Sequence, residues 1–483
     1  MKRAVVLTVV VILLGATSGC NLKLAKAGTR CSKLGDYAQD GTYVLKCNGR
    51  KRWERGITTQ AADAALAFWL ASLQPTVPDL VGQPANGATI AAAGFTVGAV
   101  TETLSTLPAG TVLSQDPPAG TKAPRNSPIN LTTSNGRGAS SIAAGGFHSC
   151  AIVNGGSVRC WGYDSTGQLG DNSTTNSNVP VSVVGVTTAV AIAAGYYHSC
   201  ALLADGSVSC WGYNTSGQLG NGTTTSSSIP IAVSGLSGVV AIAAGFGHTC
   251  AILQGGAVKC WGGNSTGQLG NGTTTNSTTP VGSGITDATA IDGGVGHTCA
   301  VVTAGAVKCW GSNGQGQLGN GTTTNSTTPV TSTGVTGASA IATGGYHSCA
   351  IVEGGAVRCW GYNAHGELGN GNTTNSTTAV GNGITDATSM ASGSNHSCAV
   401  RSGGTTSCWG YNNFGQLGNN STANGLSPVA VTSITTTAVT GGEGHTCGIV
   451  AAGAVMCWGY NALGQLGNGT TVNSSPAVAV TGL

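Results

Sequence analysis

Charged side chains make up only 7% of this 483-residue chain, and aromatic ones only 5%. So little charge argues against solvated disorder, because disordered chains normally stay soluble through charge. What charge exists is also unevenly placed. From Gly138 onward there are five Lys/Arg against nine Asp/Glu, about −4, whereas the first 137 residues carry fourteen against seven. The larger part therefore lacks the basic face that a nucleic-acid partner requires. The run NGRKRWER (Asn48–Arg55) is too short to supply one and reads as a solvated loop. The apolar run Ala4–Ala16 falls short of the roughly 20 residues that a spanning helix needs. A nucleophile elbow, a phosphate-binding loop, a metal-ligand cluster and a paired-carboxylate constellation are all missing. The sequence thus predicts no catalytic residue, no metal, no cofactor and no enzyme.

The N-terminal stretch MKRAVVLTVVVILLGATSGC has a basic start, an apolar run and then small residues, which is the form of a secretory signal. Its last four residues, TSGC, resemble a bacterial lipobox, which implies lipidation of Cys20 and attachment to membrane only through that anchor. Thr17 departs from the leucine usual at its slot. Cleavage after Ala25-Lys26-Ala27 is the alternative, releasing a soluble chain from Gly28. Of 17 cysteines, setting Cys20 aside leaves an even 16, as expected of disulfides in an oxidising compartment. Cys31 and Cys47 form one candidate pair, stapling a hairpin in a small module that spans residues 21–74 with a following helix, Thr58–Gln74.

The remaining 14 cysteines belong to a repeat. His-Ser/Thr-Cys recurs at His148, His198, His248, His297, His347, His396 and His445, every 49 or 50 residues. Each copy continues to Cys-Trp-Gly and then to x-N-x-x-G-Q-L-G, as in YNTSGQLGNG from Tyr213, before a Thr/Ser/Asn-rich loop. Such a period marks an array whose units cannot bury their apolar faces alone. Among 80 glycines, those of NGG in the first copy suit a three-residue hairpin loop between Ala151–Val153 and Ser157–Arg159. SIAAG before it and VPVSVV after it add two strands, so each unit reads as four short strands.

With NGG as the loop, Val153 faces Ser157, Ile152 faces Val158 and Cys150 faces Cys160. Opposed residues of an antiparallel ladder lie ~4.5–5.5 Å apart at Cα, within disulfide reach. The same register pairs Cys200–Cys210, Cys250–Cys260, Cys299–Cys309, Cys349–Cys359, Cys398–Cys408 and Cys447–Cys457. Each closed loop is worth roughly 2–3 kcal/mol by chain entropy. Zinc is the competing use of such cysteines, but no second C-x-x-C lies near each pair.

The motif G-x-x-H-[ST]-C-A…G-x-V-x-C-W-G-x-N-x-x-G-Q-L-G resembles the regulator of chromosome condensation repeat, over about Gly138–Leu483. That resemblance implies a mainly β fold, a seven-bladed β-propeller, over residues 138–483. The cysteine pairs depart from the eukaryotic pattern and look like those of exported bacterial relatives. Upstream, VPDLVG, AAAGFTVG, GTVLSQDPPAGT and SPINLTTS resemble a PASTA domain, a small α+β module of bacterial cell-wall proteins, over residues 75–135. Some members of that family bind peptidoglycan.

Residues repeated in every copy read as structural, since a catalytic group is needed once and a structural one in every blade. The seven histidines are accordingly expected to be satisfied and partly buried, and the tryptophans to pack between blades. Function is expected where copies differ. The two positions before each repeat histidine vary, and they hold Phe147, Tyr196, Tyr197, Phe246 and Tyr346. At equivalent sites on one rim, these aromatics form the candidate partner-binding patch. A second, weaker variable slot includes Ala364-His365, Asn413-Phe414 and Ala462-Leu463. The expectation is a monomeric, non-enzymatic protein of the bacterial cell envelope whose propeller binds another protein. An exported inhibitor of β-lactamases among related propellers makes inhibition of a secreted enzyme one concrete form. Peptidoglycan binding through the PASTA module is an alternative, and so is guanine-nucleotide exchange, the activity of the best-known eukaryotic family member.

Overall fold

The computed structural model describes residues 30, 37–39, 43–47, 50–58, 60–61, 74–103, 105–107, 109–136, 138–153 and 155–483. Cys20, the residues around the alternative cleavage site, Cys31 and most of the helix expected over Thr58–Gln74 lie outside the described residues. The chain divides into two compact units, one running to Glu102 with Gly110–Thr133, the other comprising Thr103–Ala109 and Ser134–Leu483.

The first unit contains a three-stranded antiparallel sheet of Tyr37–Gln39, Tyr43–Cys47 and Trp53–Thr58. Two expectations are corrected here. The antiparallel pair Tyr37–Gln39 and Tyr43–Cys47 is extended by a third strand beyond the expected hairpin, and the basic run expected as a loop becomes a strand at Trp53, after a turn at Arg50–Lys51. Its charge hides strand pairing, because Trp53, Glu54 and Arg55 sit opposite Cys47, Lys46 and Leu45. The same unit holds a short α+β fold. Asn86 caps a helix, Gly87–Ala92, by accepting the Ala88 N–H at 2.9 Å. The helix accompanies strands Thr96–Thr103, Val112–Asp116 and Pro128–Ser134, which form a sheet with the last strand in the middle. Val77, Leu80, Ile90, Phe95, Val112, Ile129 and Leu131 form its core.

The second unit is built from seven four-stranded antiparallel sheets, each a simple meander. The first uses Ser141–Ala144, His148–Val153, Ser157–Gly162 and Ser177–Ser182. The others follow in order over residues 189–232, 239–282, 288–331, 340–381, 387–435 and 438–479. Val153 pairs with Ser157 and Cys150 with Cys160, the register set by the glycine turn, and the corresponding cysteines face each other in all seven sheets. Every such pair is a disulfide, with Cα atoms 4.0–4.1 Å apart.

Neighbouring sheets meet in apolar interfaces of one design. The disulfide Cys150–Cys160 and Leu169 of the first sheet pack against Trp211 and Ala201 of the second. The seventh sheet offers Cys447, Cys457 and Leu466 to Trp161 and Ala151 of the first. The ring is therefore closed, and the unit is a β-propeller. The seven tryptophans are fully buried. Each removes about 150–250 Å2 of surface from water, which makes these interfaces the main hydrophobic term in the ring.

Candidate functional site

Polar links repeat at every interface beside the tryptophans. His148 Nε2 lies 2.8 Å from Ser199 Oγ of the next sheet, and the pattern continues through His198–Thr249, His248–Thr298, His297–Ser348, His347–Ser397 and His396–Thr446 to His445–Ser149. Each hydroxyl also donates to the main-chain carbonyl of the G-Q-L-G glutamine, or Glu367 in the fifth copy. A hydroxyl has one proton, so the imidazole must supply the other and carries its own on Nε2. The same carbonyl accepts the tryptophan Nε1–H at 2.8–2.9 Å, filling its second lone pair.

The histidines are fully buried rather than partly so, and all seven Nδ1 atoms lack a hydrogen-bond partner. Desolvation lowers them from 6.5 to about 3, or about 4 for His248 and His396, so they stay neutral at pH 7. Such a group is wedged in place rather than poised for chemistry. A Cβ at Gly195, for example, would collide with the His198 ring on one side and the Gly245 carbonyl on the other. Among the described residues no His/Cys/Asp/Glu group could hold a metal ion.

The variable positions lie at one end of the strands, in the turns joining the first and second strand of each sheet. They separate into two depths, which corrects the expectation of one set of equivalent sites. Gly146, Tyr196, Phe246, Val295, Gly345, Ser394 and Glu443 surround the mouth of a central channel of about 330 Å3, walled below by the first strands. Phe147, Tyr197 and Tyr346 stand outside that mouth. Tyr196 and Phe246 therefore share one environment, and the other three share another.

The aromatics extend further than the sequence reading assigned. Tyr196 packs against Phe246 with ring centroids 4.5 Å apart and the rings tilted by 42°, and Phe147 meets Tyr196 edge-on at 5.4 Å. Phe147 also reaches Tyr460 at 6.3 Å, and the contacts run on through Phe414, Tyr411, His365 and Tyr362 to Tyr346. The arc crosses the third, second, first, seventh, sixth and fifth sheets. It breaks at the fourth, whose turn carries Val295-Gly296 and which has Ser312 where five copies have tyrosine. That tyrosine after Cys-Trp-Gly (Tyr163, Tyr213, Tyr362, Tyr411 and Tyr460) was missed, although its replacement by Gly263 and Ser312 is the kind of copy-to-copy variation that marked the other slots. His365 and Phe414, from the weaker slot, are integral to the arc. Most of these rings are half-buried against one another, whereas Phe246 and Tyr346 remain 42% and 45% exposed.

The mouth has a polar side. Glu443 takes a hydrogen bond from Ser394 Oγ, and its N–H donates to the Gly146 carbonyl at 3.1 Å. The Tyr196 ring lies over Gly146, where a Cβ would come within 2.8 Å of Tyr196 Cγ. Burial first, and then the Glu443 charge, hold the Tyr196 phenol well above its ordinary range.

A closed ring of seven near-identical four-stranded sheets, with its aromatic variety gathered in the turns at one end of the strands, defines a repeat propeller. The chain belongs to the RCC1-like domain family: that family model matches residues 74–382, more than half of the chain. The regulator of chromosome condensation (RCC1) repeat matches at residues 387–416, 405–449 and 437–465. Among solved structures, Prp20p from Saccharomyces cerevisiae, described with its binding to Gsp1p and histones, is similar at 24% identity with a TM-score of 0.57. The match covers 63% of this chain and 80% of that one. Human WBSCR16 is similar at 23% identity with a TM-score of 0.57, over 68% of this chain and 91% of its own. At these identities the likeness is one of fold. No curated protein matches the chain.

Proposed function

We propose that this chain is an exported, non-enzymatic scaffold of the bacterial cell envelope, anchored through lipid on Cys20, whose propeller holds a protein partner on its aromatic face. The observation that carries this reading is the arc from Phe246 to Tyr346, laid across six of the seven sheets at one end of the strands. Aromatic rings give large contact area at little entropic cost, and half-buried rings are already ordered before a partner arrives. A monomeric ring with seven blades, each stapled, is a rigid platform suited to an oxidising compartment. Inhibition of a secreted enzyme is one form such binding takes. Affinity capture from envelope extract should recover a partner with the intact chain and lose it when Phe147, Tyr196, Tyr197, Phe246 and Tyr346 are all changed to Ser. Capture unaffected by those changes would remove the assignment.

A second reading, binding of peptidoglycan by residues 75–135 as a PASTA domain, is favoured by the helix and three-stranded sheet found there. Retention of that segment by insoluble peptidoglycan tests it. Guanine-nucleotide exchange, the third class, finds support only in family membership, and an export signal is at odds with a cytosolic GTPase.

A further inference from the structure

The channel mouth is chemically lopsided. One side presents the rings of Tyr196 and Phe246, and next to Tyr196, across Gly146, stands the Glu443 carboxylate. Deeper in the wall is a second carboxylate, Asp292, whose Oδ2 accepts the Thr343 N–H at 2.7 Å. No Lys, Arg or His lines the channel. The propeller as a whole carries about −4, with nine acidic residues against five basic ones from Gly138 onward. Ring faces present negative potential to a cation, and a carboxylate beside them adds a charge-assisted acceptor. The volume, about 330 Å3, is at the small end of ligand pockets and suits one side chain rather than a folded element.

We infer that the channel mouth is a cation socket, in which a lysine or arginine side chain projecting from a loop of the protein partner lies against Tyr196 and Phe246 and pairs with Glu443. This rests on the reading of the aromatic face as a protein-binding surface and adds the chemistry at its centre. Glu443 is already held by Ser394 and by its own main-chain link to Gly146, so little ordering remains to be done on binding. Gly146 is part of the device. A Cβ there would come within 2.8 Å of Tyr196 Cγ, so its missing side chain lets the Tyr196 ring approach the first sheet beside the carboxylate.

The test pans a phage-displayed random heptapeptide library against the full chain and measures the selected peptides by fluorescence anisotropy. The expected result is enrichment in Lys or Arg, with affinity falling at least about tenfold on Glu443→Gln. Affinity of the unaltered chain should also fall between about 50 and 500 mM salt. The thermal unfolding midpoint of the variant serves as the control for folding, and the salt arm needs no variant. Peptides that depend on Phe147 and Tyr346 but contain no basic residue, or basic peptides indifferent to Glu443 and to salt, would overturn the socket while leaving the interaction face in place. If no selected peptide depends on the aromatic residues at all, both readings fail.

Discussion

His445 and Ser149, 296 positions apart, make at 2.8 Å the hydrogen bond that joins every other neighbouring pair of sheets at 2.7–2.9 Å. The last repeat therefore meets the first through the standard interface, down to the Gln465 carbonyl that accepts both Ser149 Oγ and Trp161 Nε1. Ring closure is not a special seam. Ser149→Ala leaves His445 Nε2–H and one lone pair of Gln465 buried without partners, a loss of about 1–3 kcal/mol. Ser199→Ala, at an internal interface, should cost the same to within about 0.5 kcal/mol. Denaturant unfolding of the two variants checks this, and a neutral Ser149→Ala would mean an open ring.

Acid should weaken the ring. Unfolded histidines titrate near 6.5, whereas the seven buried ones are depressed to about 3 or 4. Their contribution is fully present above about 6.5 and is lost as pH falls toward the folded values. Two buried acids, Asp164 and Glu367, and the half-buried Asp292 act in the opposite sense. Asp164 and Glu367 are raised by desolvation to about 7 and Asp292 to about 6, so their contribution is present at low pH and lost as pH rises through those values. The histidines outnumber them. With disulfides intact, the guanidinium midpoint should be lower at pH 5 than at pH 7, and an equal or higher midpoint at pH 5 would contradict the account.

Asp164 stands where the other six copies have Asn. In the second copy, Asn214 accepts the Leu219 N–H and donates Nδ2 to the carbonyls of Thr223 and Thr225, which pins the Thr-rich loop. Asp164 keeps the first bond, to Leu169 at 2.8 Å, but its Oδ2 is buried without a partner. Asp164→Asn should therefore stabilise the chain by about 1–2 kcal/mol at pH 8, where the carboxylate is ionised, and by much less at pH 5. Paired unfolding curves at the two pH values check both size and sign.

What the sequence made legible was local. A ten-residue separation around a glycine turn sets one antiparallel register, and that register alone places each cysteine opposite its partner. The period of 49 or 50 residues likewise defines the repeating sheet. The interface chemistry was not legible, because its acceptor is a main-chain carbonyl in the neighbouring copy, 42 or 43 positions from the tryptophan it binds at six interfaces and 304 at ring closure. Nothing in the side chain of Gln168 announces what its carbonyl does. The two depths of the variable slot were hidden for a related reason. Adjacent residues such as Tyr196 and Tyr197 differ by which way a turn aims them, and pattern alone does not supply that. The strand at Trp53 was obscured by its charge.

In the function proposed above, the repeated interfaces hold the ring and the turns at one end of the strands hold the partner. Hydrogen–deuterium exchange of the full chain, with and without its captured partner, tests it most directly. The account predicts new protection at residues 145–147, 195–197, 245–247, 345–347 and around Tyr362–His365 and Tyr411–Phe414. Protection confined to the hairpin turns at the opposite end, such as Gly155–Gly156, or to residues 75–135, would contradict it.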